Sequence, residues 1–253
     1  MPSCGPGTDG LIELTNSVLL LDVNETLSDM RPLAARFEEV GLSGELVATW
    51  FAGVLRDAFA LNVSGVYRDF ATIGRSGLLT LFATEGLALQ DPEGAAGHVV
   101  AGIAELPLHE DVRPALELLA ARGIRVVTLT NGARATTAAL LERAGVAHLV
   151  EENLSVDEVG RWKPARQAYH YAVARCHVDP AQATLVAVHP WDVDGAMRAG
   201  LRGAWIDRQN SPYPAGFRAP DVSAPDLVAL AHRLADGPGL VSADRGEAGR
   251  TAS

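Results

Sequence analysis

Residues 19–30 read LLLDVNETLSDM, and the fold turns on how that stretch is taken. Val18 to Leu21 form a short continuous apolar run, the pattern of a strand covered on both faces. The run passes directly into Asp22 and then into a polar cluster without glycine or proline. A buried strand that ends on a carboxylate, with Asn24 two places on, needs a chemical reason.

Working outward, the same pattern recurs. GIRVVTLTNG (123–132) is a second apolar run, preceded by the helical pattern VRPALELLAAR (112–122). ATLVAVHP (183–190) is a third, preceded by ARQAYHYAVARC (165–176), and GAWIDR (203–208) is a short fourth. Helical patterns also follow, ARATTAALLERAG (133–145) after the second run and DVDGAMRAGL (192–201) after the third. This alternation predicts an α/β fold, a Rossmann-like parallel-sheet core with helices on both faces.

Residues 30–105 interrupt the alternation. Four helical patterns lie there, at 31–42, 44–62, 67–87 and 92–106, separated by glycine or proline. The expected organisation is a core domain of residues 16–29 and 106–236, an inserted helical cap domain of residues 30–105, and flexible ends at 1–15 and 237–253. Such a cap would cover the carboxyl ends of the strands, where ligands bind in open α/β sheets.

Composition narrows the function classes. The chain has 253 residues, 48% hydrophobic and 21% charged, a normal globular balance. A net charge of −10 makes nucleic acid and anionic membrane surfaces poor partners. The two cysteines, Cys4 and Cys176, make neither a disulfide framework nor a zinc pattern, and a reduced cytoplasmic setting is the simplest reading. The N-terminal residues lack the order of a signal peptide, and no apolar run is expected to reach the ~18 residues of a membrane span.

The strand ends carry the chemistry. The first offers Asp22, Asn24 and Thr26; the second Thr130, Asn131 and Gly132; the third His189, Trp191 and Asp192. Lys163 precedes Pro164, and proline is favoured at a first helical position, which would set the lysine near the same crevice. Taken singly, each has a bland reading: turn or cap for Asp22, Asp192 and the Thr-Asn-Gly, solvated surface for Lys163, a loop histidine for His189, packing for Trp191 and Tyr169. Their joint occurrence, in this order and at strand ends, argues for a site.

Together these residues resemble the haloacid dehalogenase superfamily, and most of all its type II 2-haloacid dehalogenases. The resemblance spans roughly residues 17–235. It rests on Asp22 after a strand, LTNG at 129–132, WKPARQAY at 162–169 and HPWDVDGAMRAGL at 189–201. It implies a metal- and cofactor-independent hydrolase acting on a small molecule. In the implied route Asp22 displaces halide to form an ester, and Asp192 activates the water that hydrolyses it. Lys163 would balance the carboxylates. The resemblance also implies substrate contacts from Asn24, Thr26, Thr130, Asn131, Tyr169, His189 and Trp191, with Trp50 and Phe70 from the cap. Homodimers are common in the family, so a homodimer is the analogy's expectation.

Phosphatases are the majority of that superfamily. They carry a second aspartate two residues after the nucleophile, which protonates the departing alkoxide, and an acid four residues before the last strand-end aspartate, which helps hold Mg²⁺. These positions are Asn24 and Val188 here. Neither does the work of an acid, and a departing halide needs none. The chain also departs from the dehalogenases. Aligned on Trp50, the expected cap arginine is Ala52, with Arg56 one turn on as a substitute; the usual Tyr-Gly after the nucleophile is Asn24-Glu25; the usual Ser and Asn before Trp-Asp are Ala187 and His189. Two alternatives therefore stay open: a phosphatase or other ester hydrolase with its acid supplied from elsewhere, by His189, and a non-catalytic small-molecule-binding member.

Overall fold

β1 (Val18–Leu21) is buried along its whole length and pairs in parallel with a strand on each side. The computed structural model describes residues 17–236. The expected ends at 1–15 and 237–253, with Cys4, lie outside them. The sheet has six strands, ordered β3-β2-β1-β4-β5-β6, all parallel: β2 (Arg125–Thr130), β3 (Glu152–Ser155), β4 (Ala183–Ala187), β5 (Arg202–Ile206) and β6 (Val222–Ala224). Chain order reverses between β1 and β4, so the crevice beyond their carboxyl ends is the switch point at which such sheets bind ligands.

Two of the six strands escape the apolar-run criterion. β3 reads ENLS, a half-buried edge, and β6 is three residues long. Alternation sorts the central strands onto two faces. Leu19, Leu21, Val126 and Val186 pack on α5 (Val112–Ala121), α6 (Arg134–Arg143) and α9 (Leu227–Asp236). Val18, Leu20, Val127 and Leu185 pack on α7 (Arg166–Arg175) and α8 (Pro190–Arg198). The helix starts differ from expectation at one useful place. α7 begins at Arg166, so Pro164 precedes it, while Pro190 occupies the first position of α8. Trp191 and Asp192 therefore ride on the first turn of a helix rather than on the strand end itself.

Between β1 and α5 lie α1 (Leu33–Glu39), α2 (Leu46–Val63), α3 (Phe70–Thr84) and α4 (Pro92–Ala101). They share an apolar cluster of their own around Phe37, Trp50, Phe51, Leu78 and Val99. The Asp69 side chain starts α3 by accepting from Thr72 N at 2.9 Å. α2 has 18 residues and is apolar enough, by length and composition, to cross a membrane, which overturns the expectation that no segment would be. Its run survives Arg56 and Asp57 because alanines and aliphatics fill both faces; one face buries Trp50, Phe51, Val54 and Ala58 in the cap.

Trp162, which lies between β3 and α7, packs into the same apolar cluster. Trp162 is 1% exposed, stacks on Phe70 with centroids 6.1 Å apart and donates Nε1–H to Arg68 O at 2.9 Å. Asn62 donates to the Trp162 carbonyl at 3.3 Å. Trp162→Ala is expected to cost ~3–5 kcal/mol through the cavity it leaves. Thermal denaturation checks this; an unchanged Tm would show that the indole is not structural.

Candidate active site

Asp22 closes β1 and is held in the sheet by its own N–H, which donates to Val186 O at 3.0 Å. Its side chain is 6% exposed and fully engaged. Lys163 Nζ donates to Oδ1 at 2.7 Å, and Thr26 Oγ1 donates to Oδ2 at 2.7 Å. His189 Nδ1 lies 3.2 Å from Oδ2. The Thr26 hydroxyl is itself fixed, accepting from Val188 N at 3.1 Å.

Lys163 is completely buried and bridges two acids. Besides Asp22 it donates to Asp192 Oδ2 at 2.7 Å and to Leu129 O at 2.8 Å. Burial alone would strip its proton, but Asp192 and Asp22 overrule that and hold its pKa above the ordinary lysine value. Asp192 takes its other hydrogen bond from Tyr169 Oη at 2.6 Å.

The two carboxylates differ in electrostatic setting. Burial pushes both up. At Asp22, Lys163 and then His189 prevail and hold the carboxyl well below the ordinary range. At Asp192, burial and the nearby Asp22 charge outweigh Lys163, so its pKa is raised. Asp22 has a second cation and Asp192 has none. The arrangement therefore offers one ionised carboxylate beside one more basic carboxylate, the combination that covalent catalysis followed by general-base hydrolysis requires.

The remaining expected site residues fall into four groups. Asn131 does not face the crevice: its Oδ1 accepts from Lys163 N at 2.8 Å and its Nδ2 donates to Lys163 O, so its amide clamps the lysine backbone. Tyr169 is likewise fully buried behind Asp192 rather than in contact with open space. Thr130 satisfies its own turn through Gly132 N at 2.9 Å, and with Asn24 and Phe70 it lines a cavity of about 240 Å³ beneath α3 and α4. Trp191 stands between Phe59, at 5.0 Å, and His189, at 5.1 Å. Trp50 is a correction. It is 2% exposed, donates to Gly74 O at 2.9 Å and packs on Phe37 and Phe70 within the cap.

The cap arginine question also changes. Ala52 is exposed, and Arg56, which is 75% exposed, pairs with Asp57 on the outer surface. Helical geometry explains this, because positions 52 and 56 share a face that is turned away from Trp50 and Phe51. The cap presents Phe51 to the site, 6.2 Å from the His189 ring. Sequence reasoning missed Phe51, Phe59 and Glu25. For Glu25 a signal existed: it stands where the resembled family has glycine, and its φ of 63° is a backbone conformation that favours glycine. Its Oε2 lies 2.8 Å from His189 Nε2.

A model of the haloacid dehalogenase-like hydrolase family matches residues 17–200. The chain belongs to that family. It is 30% identical over 149 residues to haloacetate dehalogenase H-2 of Moraxella sp. (strain B), covering 59% of this chain and 66% of that protein. It is 35% identical over 123 residues to a phosphoserine phosphatase of Thermus thermophilus, covering 48% of this chain and 47% of that protein. The chain thus spans just under two thirds of the first relative's length and about half of the second's. A solved L-2-haloacid dehalogenase superposes with a TM-score of 0.79 at 27% identity, covering 85% of this chain and 97% of that one.

Proposed function

We propose that this hydrolase is a dehalogenase of small 2-haloacids. The observation that carries the reading is the Lys163 bridge, one ammonium 2.7 Å from each of two buried carboxylates whose pKa values diverge. Asp22, the carboxylate of lower pKa, forms a bond to the substrate's halogen-bearing carbon as the carbon–halogen pair departs with halide. No proton is needed for that departure, which fits Asn24 at the position where an acid would otherwise serve. Burial and the Asp22 charge both raise Asp192; esterification removes the second of these and so favours the carboxylate form of Asp192 when the base is required. Water then adds to the Asp22 carboxyl carbon and gives one proton to Asp192; as the acyl carbon–oxygen bond breaks, Asp192 passes that proton to the departing alkoxide of the 2-hydroxy acid, and the new Asp22 carboxyl loses water's second proton. Across the cycle one proton and one halide are released. Burial of Asp22 to 4% exposure keeps bulk water from competing with this sequence.

The Mg²⁺ that phosphatases of the superfamily use does not fit this donor set. Val188 brings no oxygen from its side chain, and the facing oxygens of Asp22 and Asp192 are both taken by Lys163. EDTA is expected to leave turnover unchanged. A second reading has one specific support: a protonated His189 beside Asp22 is placed to give a proton to an alkoxide leaving group. A paired assay separates the two, halide release from 2-haloacids against phosphate release from phosphomonoesters with Mg²⁺. Phosphate release alone, lost on chelation, would reject the dehalogenase reading.

A further inference from the structure

Two departures from the resembled pattern, Glu25 and His189, lie far apart in the chain and meet in space. His189 is a bridge: Nε2 lies 2.8 Å from Glu25 Oε2 and Nδ1 lies 3.2 Å from Asp22 Oδ2. Glu25 is held for this contact at some cost. A left-handed backbone disfavours any residue with a Cβ, yet the turn keeps Glu25 at φ 63°. His109 Nε2 pins that loop at the Glu25 carbonyl, 3.0 Å away. Meanwhile α2, whose one basic residue is Arg56, turns that arginine outward and sets the Phe51 ring against His189.

We propose that Glu25 is a positioning residue that fixes His189 as an imidazolium, and that this ring is the cation onto which the departing halide moves. The inference rests on the dehalogenase reading above. As the carbon–oxygen bond forms and the carbon–halogen bond breaks, one negative charge passes from Asp22 to the halide. Lys163 stays with Asp192. An ester is a weaker acceptor than a carboxylate, so the Nδ1–H released by Asp22 is free to donate to the new anion. The ring keeps its proton throughout, because halide is too weak a base to take it, and Glu25 prevents the ring from turning away.

The charged groups around the ring support this. Asp22 and Glu25 touch it, Lys163 lies behind Asp22, and α8 adds only Trp191. Across a cavity of about 640 Å³ on the far side stand Asp29, Arg31, His109, Asp207 and Arg208. Burial lowers the imidazole's pKa, but hydrogen bonds and charge from Asp22 and Glu25 prevail and raise it to about 9.

The test compares Glu25→Gly, Glu25→Gln and Glu25→Asp with wild type. Glycine suits the left-handed turn, so Glu25→Gly should fold with an equal or higher Tm. It should nonetheless lose about 10–100-fold in kcat, the size typical of lost outer-shell support, with little change in KM. Its alkaline limb, near pH 9 in wild type, should move toward the ordinary histidine range, and Glu25→Gln should do the same. Glu25→Asp should recover part of both. NMR titration of the His189 ring nitrogens reads the same shift without turnover. An unchanged kcat and ring titration in a folded Glu25→Gly variant would overturn the proposal. Wild-type protein that releases no halide would instead overturn the reading beneath it.

Discussion

Asp22→Asn is expected to abolish turnover, by ~10⁴-fold or more, as removal of a covalent nucleophile does elsewhere. The fold should persist. The amide keeps the shape of the carboxylate, and Lys163 retains Asp192 at 2.7 Å, so the buried ammonium is not orphaned. The backbone N–H of residue 22 still donates to Val186 O, which keeps the strand end in register. Steady-state halide release with matched circular dichroism checks both halves. The companion measurement is a single turnover of wild type in ¹⁸O-water, followed by mass spectrometry of the Asp22 peptide. Water attack on the ester's carboxyl carbon leaves label in Asp22. Retained activity in the variant, or an unlabelled peptide, would remove Asp22 as nucleophile.

Lys163→Met should damage both stability and activity. The ammonium is 0% exposed and separates two carboxylates. Without it Asp22 and Asp192 face each other uncompensated, and losing one partner of a buried ionic group costs about 3–5 kcal/mol. The pH dependence of stability should also change. In wild type the lowered Asp22 pKa contributes stability that is present above the ordinary aspartate value and is lost as pH falls toward the depressed folded value. In Lys163→Met the facing carboxylates favour proton uptake, so acid should stabilise the variant relative to neutral pH. Adding Asp192→Asn should restore much of the stability and none of the turnover. Chemical denaturation at pH 3, pH 5 and pH 8 reads all of this. A single variant as stable as wild type at pH 8 would contradict the charge bridge.

Local pattern carries far in some segments and fails in others for identifiable reasons. The apolar runs at 18–21, 125–130 and 183–187 are legible because a strand buried on both faces must be apolar at nearly every position. β3 is not, because an edge strand that is half solvated tolerates Glu152 and Asn153. The proposed catalytic set is legible because carboxylates at the ends of buried strands are costly unless a cation meets them, and Lys163 is the one lysine in the chain. Asn131 and Tyr169 are legible as site residues but not in their contacts. Whether an amide at a strand end faces open space or a neighbouring backbone depends on a segment some thirty residues away.

The sequence by itself determined the layered α/β plan, the insertion after β1, and the residue types that meet at the switch point. Those follow from burial and from the chemistry of single side chains. Tertiary structure alone decided which carboxylate has the lower pKa, that Trp50 belongs to the cap interior, that Ala52 and Arg56 face outward, and that Glu25 reaches His189. Each of these is a matter of distance between residues far apart in the chain. A pKa is set by the charges within a few ångströms, and a helix face by what packs against it. Neither can be read from order along the chain.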